Sequence, residues 1–142
     1  MTKDMPSSDS HREARQQIKN DNDSIIARFL DIAVKIKAEA GIKNHVIPHD
    51  LSGYACLKTA TVVAQQPGSR IQLYVLVHEC AHIALQHNGT KPHHVEEIEA
   101  QKWAYAALRR HGMRVTRQMK CSAQSYVDYK IKQGKAQEMI NN

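Results

Sequence analysis

The sequence predicts an α+β protein, mostly helical, in which a small antiparallel sheet of two or three short strands packs on one central helix. Three observations carry that reading. The 142 residues hold 42% hydrophobic but only 5% aromatic side chains, a balance that suits a small aliphatic core of helices. Residues 69–89, SRIQLYVLVHECAHIALQHNG, are apolar around most of a helical circumference, so that helix must be covered on most sides. Residues 53–64 lose the helical period and become short, partly β-branched runs between turn residues.

Taken in order, residues 1–21 are polar, with Pro6, Ser7, Ser8 and Ser10 clustered, and read as a flexible arm running into a frayed helical start. A single domain over 22–133 and a tail over 134–142 follow. From Asp23 or Ser24 to Ala40, the residues Ile25, Ile26, Phe29, Leu30, Ala33 and Ile36 recur at helical spacing, and Gly41 supplies the stop. Asn44 to Asp50, containing Pro48, reads as a turn, with His45 and His49 as surface histidines. Gly53–Leu57 and Thr59–Ala64 read as strands, ended by Gln65-Gln66-Pro67-Gly68.

The central helix is bounded by Ser69 as N-cap and Asn88-Gly89 as stop. Thr90-Lys91-Pro92 opens the next helix, which runs to Arg109 or Arg110 before Gly112. It starts acidic, with Glu96, Glu97 and Glu99, and ends basic, with Arg109, Arg110 and His111, as the helix dipole favours. A last helix begins near Ser122, buries Ala123, Tyr126, Val127 and Ile131, and pauses at Gly134.

The chemistry is concentrated in HECAH at 78–82. On a helix of about 100° per residue, His78 and His82 share one face and can offer two neutral imidazoles to one tetrahedral zinc ion. Glu79, one residue on, leaves the helix beside them, where a carboxylate can take a proton from an activated water without ligating the ion. In a chain with this many histidines the five-letter match has a chance expectation of roughly 3 in 100. Its place inside a capped, buried helix, with a glutamate-rich helix following, favours a metal site, and one of Glu96, Glu97 and Glu99 is expected as third ligand.

Other classes recede. Cys56, Cys80 and Cys121 are far apart with no C-x-x-C pairing, so neither a disulfide framework nor a cysteine zinc site is indicated, and Cys80 is expected to be a packed core thiol. The N-terminus has no apolar signal region and no run reaches membrane-spanning length, so the expectation is a cytoplasmic protein with no membrane contact. The net charge of +6 and pI near 9.3 leave direct nucleic-acid binding open, although a solvated basic face accounts for both.

Two blocks, HECAHIALQH over 78–87 and EIEAQKWA over 97–104, resemble the ImmA/IrrE family of small metallo-endopeptidases, in which H-E-x-x-H-x-x-x-x-H is followed by E-x-E-A-[ND]-x-F-A. The resemblance spans about residues 23–110. It implies a minimal zincin-like fold and a gluzincin-type site with His78, His82 and Glu97 on Zn²⁺, Mn²⁺ being the alternative ion, and Glu79 as general base. Gln101 falls where the family has Asp or Asn as the partner of a ligating imidazole, and Trp103 stands where Phe is usual. An amide there lacks the carboxylate's charge, which lowers ligand basicity. A metzincin is excluded: its motif needs Gly at Leu85 and His at Asn88, and His87 is expected to cap or pack. The residue that steadies the oxyanion is left among Tyr105, His93, His94 and His111.

The resemblance further implies a substrate, a separately encoded helix-turn-helix repressor whose cleavage induces mobile-element, phage or stress genes. The competing reading is a non-catalytic, metal-containing protein that sequesters a regulator or touches DNA through a basic face. An intact Glu79 argues for catalysis, because a purely structural ion gains nothing from a general base.

Overall fold

The computed structural model describes residues 8–141. Its elements run α1 (Ser8–Ala40), β1 (Asn44–Val46), β2 (Tyr54–Cys56), β3 (Thr61–Val63), α2 (Arg70–Ala84), α3 (His93–Arg110) and α4 (Arg117–Asn141). The protein is therefore a mostly helical α+β chain. α2 lies at the centre, packed by α1, α3, α4, β2 and β3. Its Leu73, Tyr74, Leu76, Val77 and Cys80 are fully buried, meeting Ile36 of α1, Val62 of β3 and Leu108 of α3. Each such aliphatic side chain contributes about 1.5–3 kcal/mol on burial.

Local chemistry starts α2 where expected. Ser69 is extended, with φ −150°, and its Oγ accepts the Gln72 N–H at 3.2 Å, while Gln72 Oε1 accepts the Gly68 N–H at 2.9 Å. The pair resembles a reciprocal capping box. The end differs from the expected Asn88-Gly89 stop. Gln86 takes a left-handed conformation, φ 53°, and the N–H groups of Gln86 and His87 return to the carbonyls of Ile83 and His82 at 3.1 and 2.9 Å. This Schellman-type closure stops the helix at Ala84 and folds His87 back along it.

α1 begins at Ser8, well before the Asp23–Ser24 start expected, so the stretch read as a flexible arm is helical from Ser8; residues 1–7 lie outside the described ones. Residues 8–40 contain neither Gly nor Pro, and Gln16–Asn20 and Gln17–Asp21 hydrogen bonds one turn apart reinforce the exposed part. Only the C-terminal half docks, through Phe29, Ile32, Ala33, Ile36 and Ala40. Ile25, Ile26 and Leu30, expected in the core, are exposed because they precede or flank that docked stripe. Glu39 accepts from Arg110 at 2.7 Å and lies 2.6 Å from His111, fixing α1 against the end of α3.

The sheet is mixed rather than antiparallel. Its order is β1-β3-β2, with β3 antiparallel to β2 and parallel to β1, registering Asn44 on Thr61 and Val46 on Val63. β1 lies in the segment read as a turn. Three residues with only His45 half-buried leave no alternating pattern to detect. His45 is held by the Ala64 carbonyl at 2.9 Å, and burial lowers its pKa.

α4 also starts early, at Arg117, where Thr116 Oγ1 accepts the Met119 N–H at 3.2 Å, and it runs through Gly134 to Asn141. Gly134 is not a pause: a Cβ there would collide with the His93 ring, so the missing side chain lets α4 press on the start of α3. His93 donates from Nε2 to the Lys130 carbonyl at 2.8 Å across that contact. Among the described residues no helix is long and apolar enough to cross a membrane.

Candidate metal centre

α2 and α3 bring three side chains to one point. His78 and His82 leave the buried face of α2 one turn apart, with ring centroids 5.1 Å from each other. From α3, the Glu97 carboxylate reaches between them: its Oε2 lies 3.0 Å from His78 Nε2 and 2.8 Å from His82 Nε2. His78 is fully buried and Glu97 is 1% exposed, so these polar groups are out of water and depend on protein partners. Burial alone would raise the Glu97 pKa, but the two imidazoles hold it well below the usual carboxylate range. Burial likewise opposes charge on His82, yet the Glu97 hydrogen bond and the charges of Glu79 and Glu97 outweigh it and raise its pKa.

The outer nitrogens are also placed. His78 Nδ1 lies 2.9 Å from the Tyr74 hydroxyl, one turn earlier on α2, and His82 Nδ1 lies 2.8 Å from Nδ1 of His87. Each ring is thereby oriented with Nε2 inward, the support that metal-ligating histidines require. Burial first, then Tyr105, Glu79 and Glu97, keeps the Tyr74 phenol protonated. His87 Nε2 is buried and makes no hydrogen bond among the described residues, but it lies 3.5 Å from Glu99 Oε1.

The donor set fits a divalent ion. Two imidazole Nε2 atoms and one carboxylate oxygen converge at 2.8–3.0 Å, and two nitrogens plus one oxygen suit zinc. Glu79 is the rival third ligand, since its carboxylate and the two imidazoles place a donor atom each within 4.8 Å of one another. Its Oε2, however, accepts the Tyr126 hydroxyl and lies 4.0 Å from Lys130 Nζ. Glu97 is the carboxylate in contact with both imidazoles, and Glu79 is beside them in other company.

The remaining candidates separate. Glu99 pairs with Lys91 at 3.0 Å and lies 3.5 Å from His87 Nε2, and Glu96 accepts the Gly89 N–H at 3.4 Å, so neither reaches His78 or His82. Gln101, expected to support a ligating histidine, instead donates to Tyr105 and Gln124 at 3.2 and 3.3 Å. One turn past Glu97, it has left the histidine pair and faces α4. The outer nitrogens of His78 and His82 instead meet Tyr74 and His87. Of the oxyanion candidates, His111 binds Glu39, His94 is exposed and Tyr105 stacks beyond Tyr74. His93 comes nearest, 3.8 Å from Glu97 Oε1.

Sequence reasoning missed residues on two helices. Tyr126, read as core, and Lys130 sit one turn apart on α4; both reach the Gly53 carbonyl, at 3.3 and 2.7 Å, and both face Glu79. Lys130 is 12% exposed, and a lysine so buried needs the partners it has found. No local motif announces them, because their link to α2 is made by packing. Tyr74 was missed as well, although its place one helical turn before His78 was the signal that could have found it.

No protein-family model, curated protein or solved structure matches this chain, so the likeness to ImmA/IrrE peptidases stands on the two motif blocks alone.

Proposed function

We propose that the chain is a zinc-dependent endopeptidase in which His78, His82 and Glu97 hold the ion and Glu79 is the general base. The observation that carries this reading is the pair of distinct carboxylates: Glu97 touches both imidazoles, whereas Glu79, a neighbour of the same imidazoles, is hydrogen-bonded by Tyr126 instead. A binding site for an ion needs the first; only chemistry at the ion needs the second. When bound, the ion supplies Lewis acidity toward a peptide carbonyl and water. Glu79 takes the proton of the attacking water and passes it to the leaving amine, while Tyr74 and His87 hold the imidazoles in their working tautomers.

The substrate we infer from the motif resemblance is a separately encoded helix-turn-helix repressor, met in the cytoplasm. One observation favours the non-catalytic alternative: Glu79 and Glu97 are each 1% exposed and the His82 side chain 15%, so a peptide must displace part of the cover to reach them. The readings separate when the zinc-loaded chain is incubated with the repressor encoded beside it and the mixture is weighed by intact mass spectrometry. Two fragments should appear with the wild type and none with Glu79→Gln carrying equal zinc. Cleavage by Glu79→Gln at the wild-type rate rejects the peptidase.

A further inference from the structure

We propose that Tyr126 is a catalytic residue whose hydroxyl donates a hydrogen bond to the oxyanion developing on the substrate carbonyl oxygen, with Lys130 as its positioning residue. The inference rests on the peptidase reading of the same site. The Tyr126 hydroxyl donates to Glu79 Oε2, and its ring stands edge-on to His78 with centroids 5.2 Å apart and an interplanar angle of 89°. Tyr74 packs on the same ring, T-shaped, at 6.3 Å. The phenol is therefore held beside both the general base and one of the metal-binding imidazoles. Lys130 Nζ donates to the Gly53 carbonyl at 2.7 Å and lies 4.0 Å from Glu79 Oε2, locking α4 against the chain before β2.

The approach is tight enough that Gly53 has no room for a side chain: a Cβ would stand 2.5 Å from the Tyr126 hydroxyl oxygen. Tyr126 also lines an apolar pocket of ≈ 210 Å³ with Leu51, Ile71 and Val75, so the residue that contacts Glu79 borders a surface cavity as well.

The chemistry uses this placement. As water adds to the peptide carbon, its proton goes to Glu79 and the carbonyl π pair moves to oxygen. The Tyr126 hydrogen bond then has a neutral carboxyl on one side and a new anion on the other, and it shifts to the anion. On collapse the C–N bond breaks, the electron pair returns to the carbonyl, and Glu79 gives the proton to the amine. Tyr126 keeps its own proton throughout. A donor whose bond strengthens only as charge appears stabilises the transition state over the bound substrate.

Tyr126→Phe in the zinc-loaded full chain tests the assignment through two readouts. Repressor cleavage should lose about 10²–10³ in kcat with KM little changed, the typical effect of one oxyanion donor. Phenylphosphonate, a tetrahedral anion, should bind the wild type and bind Tyr126→Phe at least about tenfold more weakly in calorimetry at equal zinc stoichiometry. A merely structural tyrosine would alter stability and leave phosphonate affinity in place. Cleavage at the wild-type kcat, unchanged phosphonate affinity, or no phosphonate binding by the wild type overturns the role of Tyr126. Absent cleavage by the wild type, with phosphonate binding lost in Tyr126→Phe, removes the peptidase reading and leaves the hydroxyl as an anion donor at the site.

Discussion

Replacing Gly53 with Ala tests the close packing on which the site depends. The added Cβ would lie 2.5 Å from the Tyr126 hydroxyl oxygen, 2.9 Å from Val75 Cγ1 and 3.4 Å from Glu79 Cγ. The first two distances are shorter than any normal contact, and none of the three atoms is at the end of a freely swinging chain: Val75 is on α2, Tyr126 is wedged between His78 and Tyr74, and Glu79 is buried. The strand lead-in or α4 must therefore shift by several tenths of an ångström. Overpacking of this kind costs about 1–3 kcal/mol. At about 3 °C per kcal/mol for a domain of this size, the metal-free protein should melt roughly 3–9 °C lower. Thermal unfolding followed by circular dichroism in the presence of chelator measures it. Zinc stoichiometry should survive, since the atoms met belong to none of His78, His82 and Glu97. An unchanged melting temperature would refute the described contact between the segment before β2 and α4.

Further outcomes follow from the same geometry. Glu97→Ala should lose zinc, whereas Glu99→Ala, which removes a partly exposed partner of Lys91, should retain it; metal analysis after gel filtration distinguishes them. His87→Ala removes the partner of His82 Nδ1 and should weaken zinc binding about 10–100-fold while leaving one ion per chain at saturation, read by competition with a chromogenic chelator. For pH, the His82 pKa is raised in the metal-free site, so the proton competes with the ion at a higher pH than an ordinary imidazole allows. Zinc affinity should therefore begin to fall while the pH is still above about 6.5, and calorimetry that shows flat affinity down to pH 6 would contradict it.

The parts of the protein legible in sequence are those written in local patterns. α2 carries its cap in Ser69 and its two histidines at one-turn spacing, and α3 carries its start after Pro92 and its acidic beginning. What stayed hidden depends on contacts across the fold. β1 is three residues paired in parallel to β3, with no pattern of its own. The extension of α1 to Ser8 follows from the absence of breakers rather than from an apolar stripe, which is what periodicity detects. Gln101 takes its expected role from motif position, yet its turn of α3 faces α4, and the contacts to the outer imidazole nitrogens come from Tyr74 and His87. Tyr126 and Lys130 approach Glu79 from a helix more than forty residues away in sequence.

Titration of the demetallated chain with zinc at neutral pH shows whether His78, His82 and Glu97 form an ion site from which Glu79 stands free. Calorimetry should show one ion bound per wild-type chain, the same stoichiometry for Glu79→Gln, and none for His78→Ala. Absence of saturable binding by the wild type would rule out the ion site, and loss of the ion in Glu79→Gln with the fold intact would make Glu79 a ligand.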